Sequence, residues 1–339
     1  MRILLTADPY LPVPPVGYGG IERIVDALAR RYRELGHSVG LVAQRDSRCA
    51  VDRLFPWPGV STLRNMLALW SAARSFKPDV LHSFSRLGYL VPLVFNSLPK
   101  VMSYQRHTGG RQISWAAGLG GASMRFTGCS EFICSMGRGS GGNWRAVPNF
   151  VEVDKIRFVQ AVPESAPLLF LSRIESIKGP DLAIEIARAS GRRIILAGNR
   201  AEGGREREFW ETRIAGHLGK GGVEWVGEVN DSQKNRLLGE AAALIVPIQW
   251  DEPFGIVFAE ALAAGTPVIT CARGATPEII DPGRTGFFVE DVASGVVAVN
   301  KIHELRRADC REAAESRFSS IICADLYLAI YNEAVSAGS

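Results

Sequence analysis

The sequence lacks the signals of a membrane-inserted or exported protein. No apolar run in its 339 residues reaches the roughly 18 that a membrane-spanning helix needs. The first apolar stretch, Ile-Leu-Leu-Thr-Ala at residues 3–7, is too short for a signal peptide and is typical of a first β-strand. The six cysteines form no C-x-x-C pair and no Cys/His zinc spacing, which disfavours a structural metal. We therefore expect a cytoplasmic protein with reduced thiols.

Several catalytic signatures are also missing. No G-x-G-x-x-G opens the first helix, so a dinucleotide cofactor is not indicated. No D-x-D pair of carboxylates ends a predicted strand, which favours a reaction without a metal ion. No lysine motif for pyridoxal phosphate is recognisable, and no repeat of fixed period is present. We expect the protein to need no cofactor.

The composition is that of an ordinary globular protein, 47% hydrophobic and 22% charged, with length for about two domains. The net charge of +4 hides an asymmetry between the two halves. Residues 1–155 carry 19 Lys and Arg against 10 Asp and Glu, an excess of +9, whereas the remainder carries 20 against 25. This excess indicates either an anionic partner or a merely solubilising surface, and its scattered distribution disfavours nucleic acid.

Apolar runs of strand type alternate with helical patterns along the chain. In segment 21–36, apolar residues recur at helical spacing and Gly36 ends the pattern. A second series of strands and helices starts at residue 167, after the irregular stretch 149–166. Fully apolar strands predict parallel sheets covered on both faces. The pattern predicts an α/β protein of two Rossmann-like, doubly wound domains facing a cleft that binds the ligand. Further helices are predicted at 63–76, 179–190, 205–219 and 231–241, the last capped by Asp231 or Ser232.

Two loops that follow predicted strands are candidate anion sites. Residues 17–23, G-Y-G-G-I-E-R, are rich in glycine and open a helix whose free N–H groups suit an anion. Residues 171–179 carry Arg173 and Lys178, whose charges could converge on a diphosphate. A plain tight turn and two solvated cations are the alternative interpretations.

Segment 251–269, DEPFGIVFAEALAAGTPVI, places two acids around the start of a helix. Gly255 lies near the helix N-terminus, where free N–H groups and the helix dipole favour phosphate oxygens. Glu260 lies in the second turn and leans back over the first, while Glu252 precedes the helix. Two carboxylates, each able to accept hydrogen bonds from hydroxyls, therefore flank one anion site. This order of groups matches a nucleotide sugar, in which a diphosphate lies between two sugars that carry hydroxyls. A helix-start acid and a solvated acid are the alternative.

With these motifs the chain resembles the family 4 retaining glycosyltransferases, which have the GT-B architecture. The segment from Glu252 to Val268 fits the family pattern E-x-F-G-x-x-x-x-E-A-x-A-x-G-x-P-V. Arg173 and Lys178 match its G-R-x-x-x-x-K-G loop, although Ser172 replaces the first glycine. Three further segments match by order and position: residues 19–22 (G-G-x-E), residues 147–154 (V-P-N, with Phe150 in place of a glycine) and residues 225–229 (the segment that lines the base pocket).

The resemblance implies a donor site in the carboxyl-terminal domain, 156–318, and an acceptor side in the amino-terminal domain, 1–155. We expect the last segment, 319–339, to be a helix that packs back towards the amino-terminal domain. The catalytic residues that the resemblance implies are His107, Arg173, Lys178 and Glu252. The donor-binding residues that it implies are Gly19, Gly20, Gly227, Val229, Phe254, Gly255, Ile256, Val257 and Glu260.

Four residues are candidates for the acceptor side: Glu22, Arg106, Arg111 and Glu131. The two arginines could bind an acidic acceptor, and Glu131 is alternatively a helix-start acid. His107 follows a strand, where the resemblance puts it at the transferred sugar, although a lone histidine is usually structural. For His82, at the end of another strand, a buried and hydrogen-bonded structural role is favoured.

We predict an enzyme that transfers a sugar, with retention and without a metal, from a nucleotide diphosphate sugar to an unidentified acceptor. A UDP-sugar is favoured over a GDP-sugar as donor. An acidic or lipid-linked acceptor, with peripheral contact to the inner face of a membrane, would account for the basic half; a neutral small acceptor is the alternative. A GT-B nucleotide-sugar epimerase, a glycan phosphorylase and a non-catalytic nucleotide-sugar-binding protein are the rival functions.

Overall fold

The computed structural model describes residues 1–17 and 19–337. Tyr18 of the glycine-rich turn, and Gly338 and Ser339 of the predicted terminal segment, lie outside the described residues. The chain divides into two compact units, the first made of residues 1–150 with 320–339 and the second of residues 151–319. The sequence-based boundaries are 155 and 318. No helix in the described part of the chain has both the length and the apolar character needed to cross a membrane.

Seven parallel strands form the sheet of the first unit, counted over the described residues. They are β1 (Arg2–Thr6), β2 (Ser38–Ala43), β3 (Arg53–Pro56), β4 (Val80–Ser83), β5 (Lys100–Tyr104), β6 (Met124–Gly128) and β7 (Asn143–Ala146). Their order is β3-β2-β1-β4-β5-β6-β7, so the winding reverses between β1 and β4. Thr6, at the end of β1, pairs with Val42 on one side and Ser83 on the other.

The helices of the first unit that precede residue 150 are α1 (Gly20–Glu34), α2 (Thr62–Phe76), α3 (Val91–Val94), α4 (Arg111–Gly120) and α5 (Glu131–Arg138). Helix α1 buries the face that carries Ile24, Leu28 and Tyr32, as its apolar spacing predicts. Because crossovers between parallel strands are right-handed, α2 to α5 lie on one face of the sheet and α1 on the other.

The second unit repeats the arrangement. Its strands are β8 (Leu168–Leu171), β9 (Ile194–Ala197), β10 (Val223–Trp225), β11 (Ala243–Val246), β12 (Val268–Thr270) and β13 (Gly286–Phe288). Its helices are α6 (Pro180–Ala189), α7 (Gly204–Phe209), α8 (Asp231–Glu240), α9 (Ile256–Ala264), α10 (Thr276–Ile279), α11 (Val292–Asn300) and α12 (Arg307–Arg317). The strand order β10-β9-β8-β11-β12-β13 is again parallel and doubly wound. The predicted fold class of two Rossmann-like domains is confirmed.

Two local predictions were wrong, and one strand of the first unit was missed. The predicted helix 205–219 is regular only to Phe209; it continues as a π-helical turn over 210–214, where the Trp210 ring packs edge-on against Trp225. The cap of α8 is Asn230, not Asp231 or Ser232, because the Asn230 side chain accepts from the Gln233 amide in a capping box. Strand β3 was not predicted, since four residues ending in proline carry little strand signal.

The chain returns to the first unit as α13 (Ser320–Ser336), which packs against α1 and β4. Its tyrosines enter a buried polar network under the sheet. The Tyr331 hydroxyl is hydrogen-bonded to His82 Nδ1 and lies 3.2 Å from the Tyr32 hydroxyl. His82 Nε2 is 2.6 Å from Ser103 Oγ. His82 is therefore the buried, hydrogen-bonded structural histidine that the sequence analysis favoured.

Burial lowers the pKa of His82 to about 3. In the unfolded chain a histidine titrates near 6.5, so the unfolded state binds the proton first as the pH falls. The stability that His82 supplies is therefore complete above pH ~6.5 and is lost progressively towards pH ~3, at ~1.4 kcal/mol per pH unit. When the pH is lowered from ~6.5 to ~5, the free energy of unfolding measured in urea should fall by ~2 kcal/mol less in the His82→Gln variant than in the wild type.

The matched control for this prediction is His303→Gln, because His303 is an exposed residue of the second unit. This variant should keep the pH dependence of the wild type. An unchanged slope in His82→Gln would mean that other groups cause the acid sensitivity.

Candidate active site

The strand order of the second unit opens a crevice between β8 and β11, where the winding reverses. The loop after β8 carries Arg173 and Lys178, and the loop after β11 carries Glu252 and Gly255. The two loops touch at Gly179, where an added Cβ would lie 2.1 Å from the carbonyl oxygen of Pro247. Only glycine fits this approach with its φ of 71°, so Gly179 brings the two predicted motifs together.

Lys178 and Glu252 form a largely buried ion pair at this crevice. The Lys178 Nζ lies 2.5 Å from Glu252 Oε2, and both side chains are only 12% exposed. The Trp250 indole donates to the same carboxylate oxygen at 2.9 Å, and its ring lies under the Lys178 ammonium at 4.8 Å. Glu252 Oε1 has no hydrogen bond within the described residues, so one carboxylate oxygen is held and the other is open.

The start of α9 is open in the same crevice. Gly255 is the N-cap with a φ of 87°, and no side chain caps the helix. The backbone N–H groups of Ile256 and Val257, the first two residues of the helix, are therefore free of a side-chain cap. Phe254, one of the predicted donor-binding residues, is buried and packs edge-on against Phe318 at 5.7 Å.

Glu260 repeats the pattern of Glu252 one turn into α9. Its Oε1 lies 2.5 Å from Lys234 Nζ, and Lys234 also reaches Asp231 at 3.2 Å. Burial opposes the charge of Lys234, but the two carboxylates outweigh it and raise the pKa of Lys234. Glu260 Oε2 has no hydrogen bond within the part of the chain that the structure describes. The Glu260 carboxylate is therefore not fully solvated, and one of its oxygens can still accept a hydrogen bond.

Arg173 lies at the edge of the crevice. Its guanidinium is 45% exposed and is hydrogen-bonded to Glu175 at 2.6 Å. The same loop is tied down by Glu206, which accepts from both the backbone amide and the hydroxyl of Ser176 at 2.7 Å. Arg173 is thus the more exposed of the two predicted diphosphate cations, since the Lys178 side chain is only 12% exposed.

The predicted base-pocket segment follows β10. Gly227 has a φ of 76°, and its carbonyl accepts from the Gly198 amide at 2.8 Å. Val229 is half-buried two residues later. The guanidinium of Arg200 lies over the rings of Trp210 and Trp225, at 5.2 and 5.7 Å. These contacts join the segment to the loop after β9.

In the first unit, Gly19 is the N-cap of α1 and Gly20 its first residue. A Cβ on Gly19 would lie 3.0 Å from Glu22 Oε2, so the glycine turn and the acid are neighbours. Burial raises the pKa of Glu22; its own backbone hydrogen bond and Arg106 lower that pKa, and Asp8 raises it. Asp8 itself follows β1, and burial raises its pKa against the influence of Arg86 and Arg106.

The remaining candidates lie on loops and helix starts of the first unit. Arg106, His107 and Arg111 are exposed, and the His107 ring packs edge-on against Phe132 at 5.8 Å. Glu131 is the first residue of α5 and forms an ion pair with Arg138 on the same helix. That position has the helix-start character that was the alternative for Glu131.

Five residues at these positions were not predicted. Trp250 stands two residues before Glu252 and could have been suspected as an aromatic next to the motif. Gly274 has a φ of 60°, and its Cβ would lie 2.4 Å from the Glu252 carbonyl oxygen, so it supports the Glu252 backbone. Lys234, Asp8 and Gln105 gave no sequence signal. Asp8 Oδ1 and both polar atoms of the Gln105 side chain are buried without a hydrogen-bond partner among the described residues.

Over those same described residues, no three His, Cys, Asp or Glu side chains are grouped so as to hold a metal ion. The available polar groups of the second unit are cations, open carboxylate oxygens and helix N–H groups. Such a set binds a phosphate flanked by hydroxyls.

Comparison with known protein families agrees with these motifs. The family described as "Glycosyl transferases group 1" matches residues 152–317, and the family described as "Glycosyltransferase Family 4" matches residues 18–155. The chain belongs to family 4 of the glycosyltransferases. Together the two matches span residues 18–317 of this glycosyltransferase, which include every candidate residue except Asp8.

Two curated relatives illustrate the range of the family. The glycosyltransferase is 25% identical to glycogen synthase of Mycobacterium tuberculosis, over 94% of this chain and 89% of the relative. It is 26% identical to spore coat protein SA of Bacillus subtilis over 49% of this chain. In the second case the match spans only 48% of the relative's length.

Solved structures share the fold of the glycosyltransferase over nearly the whole chain. A glycosyltransferase involved in avilamycin A biosynthesis superimposes with a TM-score of 0.75 at 24% identity, covering 99% of this chain and 98% of the other. The Anabaena protein HepE in complex with UDP and glucose gives a TM-score of 0.72 at 17% identity, covering 98% and 99%. At these identities the likeness establishes the two-domain GT-B fold.

Proposed function

We propose that the protein transfers a sugar from a nucleotide diphosphate sugar to an acceptor, with retention at the anomeric carbon. The observation that carries the proposal is the Lys178–Glu252 pair beside the uncapped start of α9, with Glu260 in the next turn. A diphosphate at the helix start would meet N–H groups and two cations. The open oxygens of Glu260 and Glu252 would then accept hydrogen bonds from hydroxyls on either side of the diphosphate.

In this proposal the leaving diphosphate is stabilised without a metal ion. Negative charge on the diphosphate grows as the glycosidic bond breaks, and Lys178, Arg173 and the N–H groups of α9 would stabilise that charge. No side chain of the second unit is proposed as a nucleophile on the sugar. The acceptor would attack on the face that the diphosphate leaves, and the leaving phosphate would take the acceptor proton.

A UDP-sugar is the proposed donor. The choice is supported by HepE, a protein of the same fold whose structure holds UDP and glucose.

For the acceptor we propose an acidic or lipid-linked molecule bound by the first unit, in the cytoplasm. Its support is the charge of that unit and the unsatisfied polar groups at the ends of β1 and β5. Buried polar atoms without partners, such as those of Asp8 and Gln105, require an explanation, and an acceptor hydroxyl would satisfy them.

Calorimetric titration with UDP, GDP, ADP and TDP tests the donor. We expect UDP to bind at least ~10-fold more tightly than GDP, since a mismatched base leaves buried polar groups unpaired. Hydrolysis of UDP-glucose by the protein should survive EDTA, and proton NMR of the first product should show the α-anomer. Loss of activity in EDTA with rescue by Mg²⁺ would contradict the metal-free mechanism. Tight binding with no hydrolysis would instead favour a nucleotide-sugar-binding protein, and a changed sugar on intact UDP would favour an epimerase.

A further inference from the structure

One face of the first unit exposes an unusual amount of apolar surface. Helices α2, α3 and α4 share this face because their crossovers run in the same direction along the sheet, and α3 packs against both of the others. Soluble surfaces carry single exposed apolar side chains, whereas a contiguous group marks a contact surface. The large apolar side chains exposed on or beside these helices are Val60 (59%), Leu63 (64%), Leu67 (57%), Trp70 (39%), Phe95 (67%), Trp115 (41%) and Leu119 (46%). We call these seven residues the apolar face.

The apolar face follows the geometry of two helices. Leu63, Leu67 and Trp70 are spaced three or four positions apart and therefore form one stripe along α2, opposite its buried face. Trp115 and Leu119 form the corresponding stripe on α4. Phe95, immediately after α3, packs edge-on against Trp115 at 6.0 Å. Because α3 packs against both α2 and α4, the residues of the apolar face lie on neighbouring helices and not at scattered positions.

The charges around the apolar face have one sign. From residue 57 to residue 123 the chain has seven Lys and Arg and one acid, Asp79, and none of α2, α3 and α4 carries an acid. The exposed cations along these helices are Arg64, Arg74, Lys77 and Arg111. None of the four forms an ion pair with any described residue, and Arg74 lies over the Trp70 ring at 4.7 Å.

Exposed arginines of the second unit behave differently. Many of them are paired with an acid on the same or an adjacent helix, among them Arg207–Glu211, Arg236–Glu240 and Arg284–Glu312. The four cations beside the apolar face therefore lack the neighbouring acids with which many exposed arginines of the second unit pair. They are complementary to an anionic partner that also accepts apolar side chains.

We propose that the apolar face and its four cations dock the protein on the surface of an anionic lipid bilayer. Tryptophan, phenylalanine and leucine enter the boundary between headgroups and acyl chains, and the neighbouring Arg and Lys side chains bind lipid phosphates. An anionic bilayer accounts for both the exposed apolar side chains and the cations, because it offers an apolar layer beneath a negatively charged one. The inference goes beyond the proposed function: it concerns residues outside the donor site and holds for any acceptor.

Sedimentation with vesicles tests the proposal on the 339-residue protein. We expect binding to equimolar phosphatidylcholine and phosphatidylglycerol, weak binding to phosphatidylcholine alone, and release at high salt as the Debye length shrinks. Each basic residue near an anionic surface contributes a factor of about five in partition. The charge-reversal variant Arg64→Glu/Arg74→Glu should therefore bind at least ~25-fold more weakly.

The apolar component has its own variant. Leu63→Ser/Leu67→Ser/Phe95→Ser removes three of the four most exposed members of the apolar face and should weaken vesicle binding by roughly tenfold. Because these side chains are at least 57% exposed, the substitutions should leave the fold intact. Far-UV circular dichroism and the affinity for UDP check this.

Matched controls carry the same changes elsewhere. Arg205→Glu/Lys301→Glu makes the same change in net charge at exposed positions of the second unit that have no ion pair among the described residues. Leu35→Ser/Val297→Ser/Ile321→Ser removes three apolar side chains that are 41%, 54% and 51% exposed. Both controls should bind anionic vesicles like the wild type.

Three outcomes would overturn the proposal. Absence of binding to anionic vesicles at low salt would exclude the bilayer. If the variants and their controls lose vesicle binding equally, the binding is non-specific electrostatic attraction and does not depend on this face. If light scattering shows a dimer that the Leu63→Ser/Leu67→Ser/Phe95→Ser variant breaks, the face is instead an interface between copies. UDP affinity and UDP-glucose hydrolysis, measured on the same variants, separate this result from any failure of the proposed function.

Discussion

Replacing Lys178 by alanine is expected to lower the turnover of UDP-glucose hydrolysis by about 10²- to 10³-fold, with a much smaller change in UDP affinity. The ammonium is largely buried, so its interaction with a developing charge is poorly screened. Charge on the diphosphate is largest when the glycosidic bond breaks, and for that reason the effect falls on turnover. Arg173→Ala should act in the same direction but more weakly, because its guanidinium is 45% exposed.

The Lys178–Glu252 pair requires a control, because Lys178→Ala leaves the Glu252 carboxylate without its cation. The double variant Lys178→Ala/Glu252→Gln removes that unpaired charge. If Lys178 only neutralises Glu252, the double variant should recover turnover relative to Lys178→Ala; if Lys178 stabilises the diphosphate, it should not. Lys155→Ala, an exposed lysine paired with Glu152, is the matched surface control and should be neutral. Wild-type turnover in both Lys178→Ala and Arg173→Ala at saturating donor would remove the diphosphate assignment.

Glu260→Ala is expected to weaken UDP binding by ~10- to 150-fold, which corresponds to ~1.5–3 kcal/mol for a hydrogen bond to a charged group. The structure adds a second consequence, since the substitution also leaves Lys234 with Asp231 as its remaining carboxylate. Lys234→Ala separates the two effects, because it removes the cation and keeps the carboxylate. We expect that variant to bind UDP within a few-fold of the wild type.

The ribose role of Glu260 has a sharper measurement in the nucleotide itself. If Glu260 Oε2 accepts a ribose hydroxyl, 2′-deoxy-UDP should bind the wild type more weakly than UDP, and Glu260→Ala should narrow that difference. An equal loss of affinity for the two nucleotides in Glu260→Ala would assign the effect to Lys234. Unchanged UDP affinity in Glu260→Ala would contradict the ribose role altogether.

Helix α9 shows what local sequence is able to predict. Its start after Gly255, its end at Gly265 and the place of Glu260 in the second turn were all predicted, because left-handed glycine caps depend on adjacent residues only. Helix 205–219 shows the limit. Its pattern is helical, but the regular helix stops at Phe209, where contacts of Trp210 with Trp225 and Arg200 bring in residues that are not neighbours in sequence.

The chemistry of the candidate site divides in the same way. From the sequence alone, the motif around Glu252 and Glu260, together with Arg173 and Lys178, identified the family and the residue types of the site. The motif did not indicate that Glu252 and Glu260 each hold a lysine on one oxygen and leave the other open. Nor did it indicate that the ring of Phe254, one of the predicted donor-binding residues, packs against Phe318 within the second unit.

By itself, the sequence determined the alternation of strands and helices, the two-domain fold, the family and the charge asymmetry, since these follow from periodicity, turn chemistry and counting. Only the tertiary structure decided which charges are paired and which are free. Lys178 and Glu252 are 74 positions apart, and they meet because β8 and β11 are neighbours at the point where the winding reverses. Leu67, Phe95 and Trp115 share one face for the same reason: the crossovers that order the sheet also stack the helices above it. A pairing of this kind depends on the order of strands in space, which no stretch of local sequence encodes.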